Sequence, residues 1–135
     1  MNYYINTKIH AGFEQTVHLV TKTLKAEGFK VLSEINISKN LKETFGIDFR
    51  KYKILGAYSP DYAYKALLEE DKIGVMLTCN VIVQETNDGS IEVAAGNPVA
   101  SMLAIENPRL IDIAIEIQNK LNSVIAKLNQ VIHKI

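Results

Sequence analysis

Polar and apolar residues alternate from Asn2 to Ile9. Tyr3, Ile5, Thr7 and Ile9 stand against Asn2, Asn6 and Lys8 in the period of two that marks a half-buried strand. After Gly12 the period lengthens: Phe13, Val17, Val20 and Leu24 form one stripe of a helix, and Glu14, His18, Lys22 and Lys25 fill its opposite face. Gly28 follows where a left-handed residue ends a helix. Phe29, Val31, Ile35 and Ile37 then take one side of a second strand, leaving Lys30, Leu32, Glu34 and Asn36 on the other. Strand, helix, strand predicts a crossover unit.

Asn40 with Glu43 three residues on has the capping arrangement of a short helix that Gly46 closes. The next strand runs from about Lys51 to Tyr58 and meets Ser59-Pro60. That pair recurs in kind as Asn97-Pro98 and Asn107-Pro108, each joining a capping side chain to a proline suited to the first helical position, so each predicts a helix start. Gly74 to Thr86 is the longest apolar strand candidate, and Asn87-Asp88-Gly89 supplies the turn into an antiparallel partner at Ser90 to Ala95. Ile111, Ile113, Ile115 and Ile117 alternate like a strand, but Leu110, Ala114, Ile117, Leu121, Val124, Leu128, Val131 and Ile135 hold a four-three spacing too long for one. This predicts a C-terminal helix, with Asp112 and Glu116 early and Lys120, Lys127 and Lys134 late, as the helix dipole favours. Its stripe fits an intersubunit seam and a helix packed on its own sheet equally well.

With 135 residues, no linker and no internal repeat, the chain reads as a single domain, 1–135. Fifteen Lys and Arg balance fifteen Asp and Glu, which leaves no basic field for nucleic acid or anionic lipid. The first ten residues lack a secretory layout and no apolar run reaches membrane-span length, so no membrane association and a cytoplasmic location are expected. A lone cysteine, Cys79, agrees with a reducing compartment. His10, His18 and His133 show no paired-ligand spacing; no metal and no cofactor are expected.

Candidate chemistry is sparse. Parity places Cys79 with Val75, Leu77, Val81 and Val83 on an apolar face, where a thiol behaves as a small hydrophobe; a reactive thiolate would need a nearby cation or helix N-terminus. Thr78, Asn80 and Gln84 share the opposite, half-polar face with Met76 and Ile82, facing solvent or lining a pocket. Glu34 has no second carboxylate at a fixed spacing, and a salt bridge accounts for it more simply than general-base catalysis. Tyr52, Tyr58, Tyr62 and Tyr64 crowd one segment as core, interface or pocket lining. Asp61 in the first turn after Ser59 opposes anion binding there, and neither a Gly-rich phosphate loop nor G-x-S-x-G is present.

The runs GFKVLSEINI at 28–37, LKETFGIDFRKYKILGAYSP at 41–60 and MLTCNVIV at 76–83 together resemble the DUF302 family of bacterial and archaeal domains of unknown function. The resemblance spans nearly the whole chain. It implies a compact α+β fold and a homodimer, and carries no established activity. Glu34, Gly56, Pro60, Cys79 and Asn80 match the family pattern. Tyr58 stands where the family commonly has a second cysteine and Thr78 where it has a proline, so redox or metal chemistry of paired cysteines is not expected here.

The expected architecture is an α+β two-layer domain in the order β-α-β-α-β-α-β-β-α, a largely antiparallel sheet with helices on one face. The expected function is a noncatalytic small-ligand-binding or sensor module acting as a homodimer, with Glu34, Tyr58, Cys79 and Asn80 as the ligand-binding residues. The alternatives are a thiol-dependent enzyme centred on Cys79 and a structural or interaction protein.

Overall fold

A computed structural model describes residues 2–132, with side chains through Gln130. In chain order the elements are β1 (Tyr4–Ile9), α1 (Phe13–Ala26), β2 (Lys30–Asn36), α2 (Ile37–Phe45), β3 (Tyr52–Tyr58), α3 (Pro60–Glu69), β4 (Cys79–Glu85), β5 (Ile91–Gly96), α4 (Pro98–Met102) and α5 (Pro108–Ile132). Single turns of 3-10 helix at Ile73–Met76 and Leu103–Ile105 complete it. The fold is the expected α+β domain, and the predicted helix start at Pro98 opens the short α4.

The five strands are ordered β1-β5-β4-β3-β2, every neighbouring pair antiparallel. β1 and β2 therefore run parallel but form opposite edges, and α1 carries the chain from one edge to the other over the three inner strands. Ile9, Leu55, Ala57, Val81, Val83, Val93 and Ala95 make one apolar face, and the Val17-Val20-Leu24 stripe of α1 packs on it with Ile117, Leu121, Val124 and Leu128 of α5. Ala66, Ile73, Met102, Leu110 and Ala114 join α3 and α4 to the start of α5. The four-three stripe of α5 is thus internal core: Leu110, Ala114, Leu121 and Leu128 are fully buried. The side chain of Val131, and residues His133, Lys134 and Ile135, lie outside the described residues.

Three local expectations are corrected. The strand expected from Gly74 begins at Cys79, because β3 turns into α3 at Pro60 and β4 has no partner before the Cys79–Ala57 pair. Strand hydrogen bonds are unavailable to residues 74–78, and the segment coils into a 3-10 turn that buries Ile73 and exposes Val75. The second strand ends at Asn36, whose carboxamide accepts the Lys39 N–H at 3.0 Å and caps α2, so Asn40 lies inside that helix. Gly46 closes α2 at φ 69°, as its position predicts.

The third correction concerns β2. Val31 pairs with Ala57 but Ser33 with Gly56, so Leu32 is an extra residue in a bulge. A one-residue insertion reverses every following side chain. Ile35, expected on the apolar side, emerges on the other face, 43% exposed, and Glu34 turns to the helix side of the sheet, where its side chain stays half exposed.

Asn97 ties the end of β5 to both neighbours. Its Oδ1 accepts the Val99 and Ala100 N–H groups at 3.0 and 3.2 Å, its Nδ2 donates to the Asn2 carbonyl at 3.0 Å, and its backbone N–H donates to the Tyr3 carbonyl at 2.9 Å. Asn97→Ala is expected to cost about 2 kcal/mol, the cap and the Nδ2 bond together, by urea unfolding. Asn97→Asp, which keeps the acceptor alone, should recover about half of that loss; equal losses in the two variants would show that Oδ1 is not the stabilising atom.

Candidate functional site

Opposite the core, the sheet has a second face. In-register pairs stand on the same side of a sheet, so one row across it is Ser33, Gly56, Asn80, Gly96 and Tyr4, the next Ile35, Ile54, Ile82, Ala94 and Asn6, and the third Tyr52, Gln84, Glu92 and Lys8. The Asn80–Gly96 neighbour follows by continuing the β4–β5 register. Over β1, β3, β4 and β5 this face forms a concavity of about 500 Å³ lined only by strand residues and their flanking Tyr3 and Arg50.

Each row contributes different chemistry. In the first, exposed Asn80 stands between two glycines, so neither directly neighbouring residue carries a side chain beside its amide; the Gly96 side is open and the Ser33 hydroxyl occupies the space above Gly56. A Cβ on Gly96 would meet only the Asn80 carbonyl at 3.8 Å, whereas one on Gly56 would come within 2.3 Å of the Ser33 hydroxyl. The Asn80 amide makes no hydrogen bond to the described residues, so its donor and acceptor both remain open to a ligand. Tyr58 lies diagonally beside it, and Tyr3 and Tyr4, edge to face with centroids 4.9 Å apart, flank the far side. The second row supplies an apolar floor of Ile54, Ile82 and Ala94.

The third row is a polar rail. Arg50 Nε donates to Gln84 Oε1 at 2.8 Å, Gln84 Nε2 donates to Glu92 Oε1 at 2.7 Å, and Asn6 Nδ2 donates to Glu92 Oε2 at 2.9 Å. The Arg50 guanidinium also lies 4.3 Å from the centre of the Phe49 ring.

The four residues singled out from sequence separate. Tyr58 and Asn80 share this face; Glu34 and Cys79 point to the helix side, Glu34 on the edge strand β2 and Cys79 two strands away on β4. After the bulge Glu34 accepts a salt bridge from Lys53 at 2.8 Å, and Lys53 also reaches Glu14 of α1 at 3.1 Å. The Glu34 hydrogen bond, with Glu14 adding to it, holds the Lys53 ammonium above its ordinary pKa against the opposing effect of burial. This is a structural clamp between sheet and helix, the plainer of the two readings of Glu34. Cys79 packs against the core beside Ala57, and burial raises its thiol pKa to about 11.

The crowded tyrosines also divide: Tyr52 and Tyr58 join the open face, Tyr62 packs against the core, and Tyr64 is 66% exposed. Arg50, Glu92, Asn6 and Tyr4 were not singled out from sequence. The hairpin turn at Asn87-Asp88-Gly89 puts Gln84 opposite Glu92, a signal that was available; the β1 contribution needed the long-range pairing with β5. Among the described residues no group of three or more His, Cys, Asp or Glu side chains is placed to hold a metal ion, and no helix is long and apolar enough to cross a membrane.

Residues 5–128 match the family model described as Domain of unknown function DUF302. A crystal structure of an uncharacterized conserved protein DUF302 from Bacillus stearothermophilus is similar to this chain at TM-score 0.88 and 26% identity, over 95% of this chain and 99% of that one. No curated protein matches.

Proposed function

The chain belongs to the DUF302 family, a domain family of unknown function, and from its geometry we propose that it is a noncatalytic small-ligand-binding or sensor module whose site is the open face of the sheet. The observation that carries this reading is the isolation of Asn80 between Gly56 and Gly96. Glycine weakens a strand, and here Gly96 keeps space clear on the β5 side of an exposed amide above an apolar floor, while Gly56 makes room for the Ser33 hydroxyl on the other side. Of the four residues named from sequence, Asn80 and Tyr58 keep a ligand role; Glu34 and Cys79 have structural ones.

Gly96→Val tests it. An added Cβ meets nothing closer than 3.8 Å and valine suits a strand, so stability is expected to stay within about 0.5 kcal/mol of the parent. Compounds from a metabolite library that raise the melting temperature of the parent protein should fail to do so for the variant. Ligands that stabilise both proteins equally would rule out this face.

A homodimer is the second part of the proposal. With the α5 stripe used in the core, the support comes from α2, an amphipathic helix with no buried residue, and from Phe45, Leu32 and Ile47, which are 70%, 61% and 49% exposed. A cytoplasmic setting, in keeping with the free Cys79 thiol, completes it. Light scattering at micromolar concentration should give twice the chain mass, and Phe45→Glu should halve it. A monomeric parent would remove the dimer and leave the ligand face standing.

A further inference from the structure

Resting on the proposed ligand face, we infer that its ligand is an amphipathic monocarboxylate: an elongated apolar body lying over Ile82 and Ala94, with its anionic group on Arg50. The charge at one end of the concavity carries this. Among the described residues, Arg50 and Glu92 are the only charged ones lining it, and Gln84 stands between them, so they do not neutralise each other by contact. Both Glu92 oxygens are already engaged, by Gln84 and Asn6. Arg50 spends only Nε. Its guanidinium is held against Phe49 and makes no carboxylate pair among the described residues, unlike Arg109, which pairs with Glu69 at 3.1 Å. Four N–H donors on its two terminal nitrogens therefore remain, in the fork that matches a carboxylate.

The remaining dimensions agree. Along β4, the Gln84 and Asn80 rows are four residues apart, roughly 13 Å. An extended medium-chain acid covers that distance across the floor, and a polar group at its far end meets the Asn80 amide. None of the described residues lining the concavity at that end is charged, which favours one anionic group rather than two. A cationic ligand meets a carboxylate with both oxygens taken and a free guanidinium, and is disfavoured.

The test uses the full chain, nitrogen-15 labelled, titrated with three probes below their micelle concentrations: decanoate, decanol and decylamine. Amide shifts should move on β4 and β5, and decanoate should bind roughly tenfold more tightly than decanol, the range expected for a charge-assisted contact open to solvent, with decylamine weakest. Arg50→Gln should erase the advantage of decanoate and leave decanol unchanged; Arg50→Lys, which keeps charge and loses the fork, should fall between. Equal affinity of decanoate and decanol, or an unaltered preference in Arg50→Gln, overturns the carboxylate assignment and leaves the face. Shifts confined to other surfaces, or binding undiminished in Gly96→Val, overturn the face itself.

Discussion

Leu121→Ala is expected to lower the unfolding free energy by about 3 kcal/mol, and the melting temperature by roughly 10 °C for a domain of this size. Leu121 is fully buried near the middle of the α5 stripe, in one cluster with Val17, Val20 and Leu24 of α1 and Val83 and Val93 of the sheet. Truncation removes its transfer free energy and leaves a cavity that two rigid layers close poorly. Asn122→Ala, on the exposed side of the same helix, should stay within about 0.5 kcal/mol. The same pair distinguishes an internal stripe from an intersubunit seam. An internal stripe predicts a loss independent of protein concentration in urea unfolding; a loss that shrinks on dilution, or stays below about 1 kcal/mol, would place Leu121 at a subunit boundary instead.

That distinction shows where sequence pattern reaches and where it stops. Spacing in Leu110–Leu128 reveals that one side of the helix is buried, because a period depends on the helix alone. What covers that side is a tertiary fact, and a seam and a core need the same residues. Capping behaved similarly. Asn97 and Asn107 accept N–H groups of the next turn, and Ser59 occupies the cap position without a side-chain bond, so Pro60 marks that start by its backbone geometry alone. Asn36, the last residue of β2, takes the cap expected of Asn40, because the chain turns into α2 four residues earlier than the capping pattern implied.

The candidate site was half legible for a related reason. Parity along one strand is robust over a few residues, and it correctly set Asn80 apart from Cys79. Parity across the bulge at Leu32 is not: nothing local distinguishes Val31-Leu32-Ser33 from regular strand, yet one inserted residue moved Glu34 from the face of Asn80 to the face of the core. Residues 74–78 alternate as a strand would, but alternation records which side chains can be buried, and pairing needs a neighbour with free backbone groups. Arg50 escaped notice because its orientation comes in part from Gln84, which lies on another strand and beyond its own stretch of pattern.

Cys79 is where the structure separates two functions most sharply. Burial raises its thiol pKa from about 9 to about 11, so near neutral pH the thiolate fraction is about a hundredfold lower than for an unhindered cysteine. Iodoacetamide should therefore alkylate the native protein about a hundredfold more slowly than protein unfolded in guanidinium. The rate should rise tenfold per pH unit until the thiol titrates near 11, since each unit multiplies the thiolate by ten. No described residue supplies the cation that would reverse this: burial is the sole cause of the shift, and Lys53, the cation of that helix-side face, is occupied by Glu34 and Glu14. A native rate equal to the unfolded rate at pH 7.5 would return Cys79 to the role of nucleophile and make the thiol-dependent enzyme the better reading. A slow native rate, together with an unchanged ligand response in Cys79→Ala, assigns the thiol to the core and leaves function to the face on which Asn80 stands.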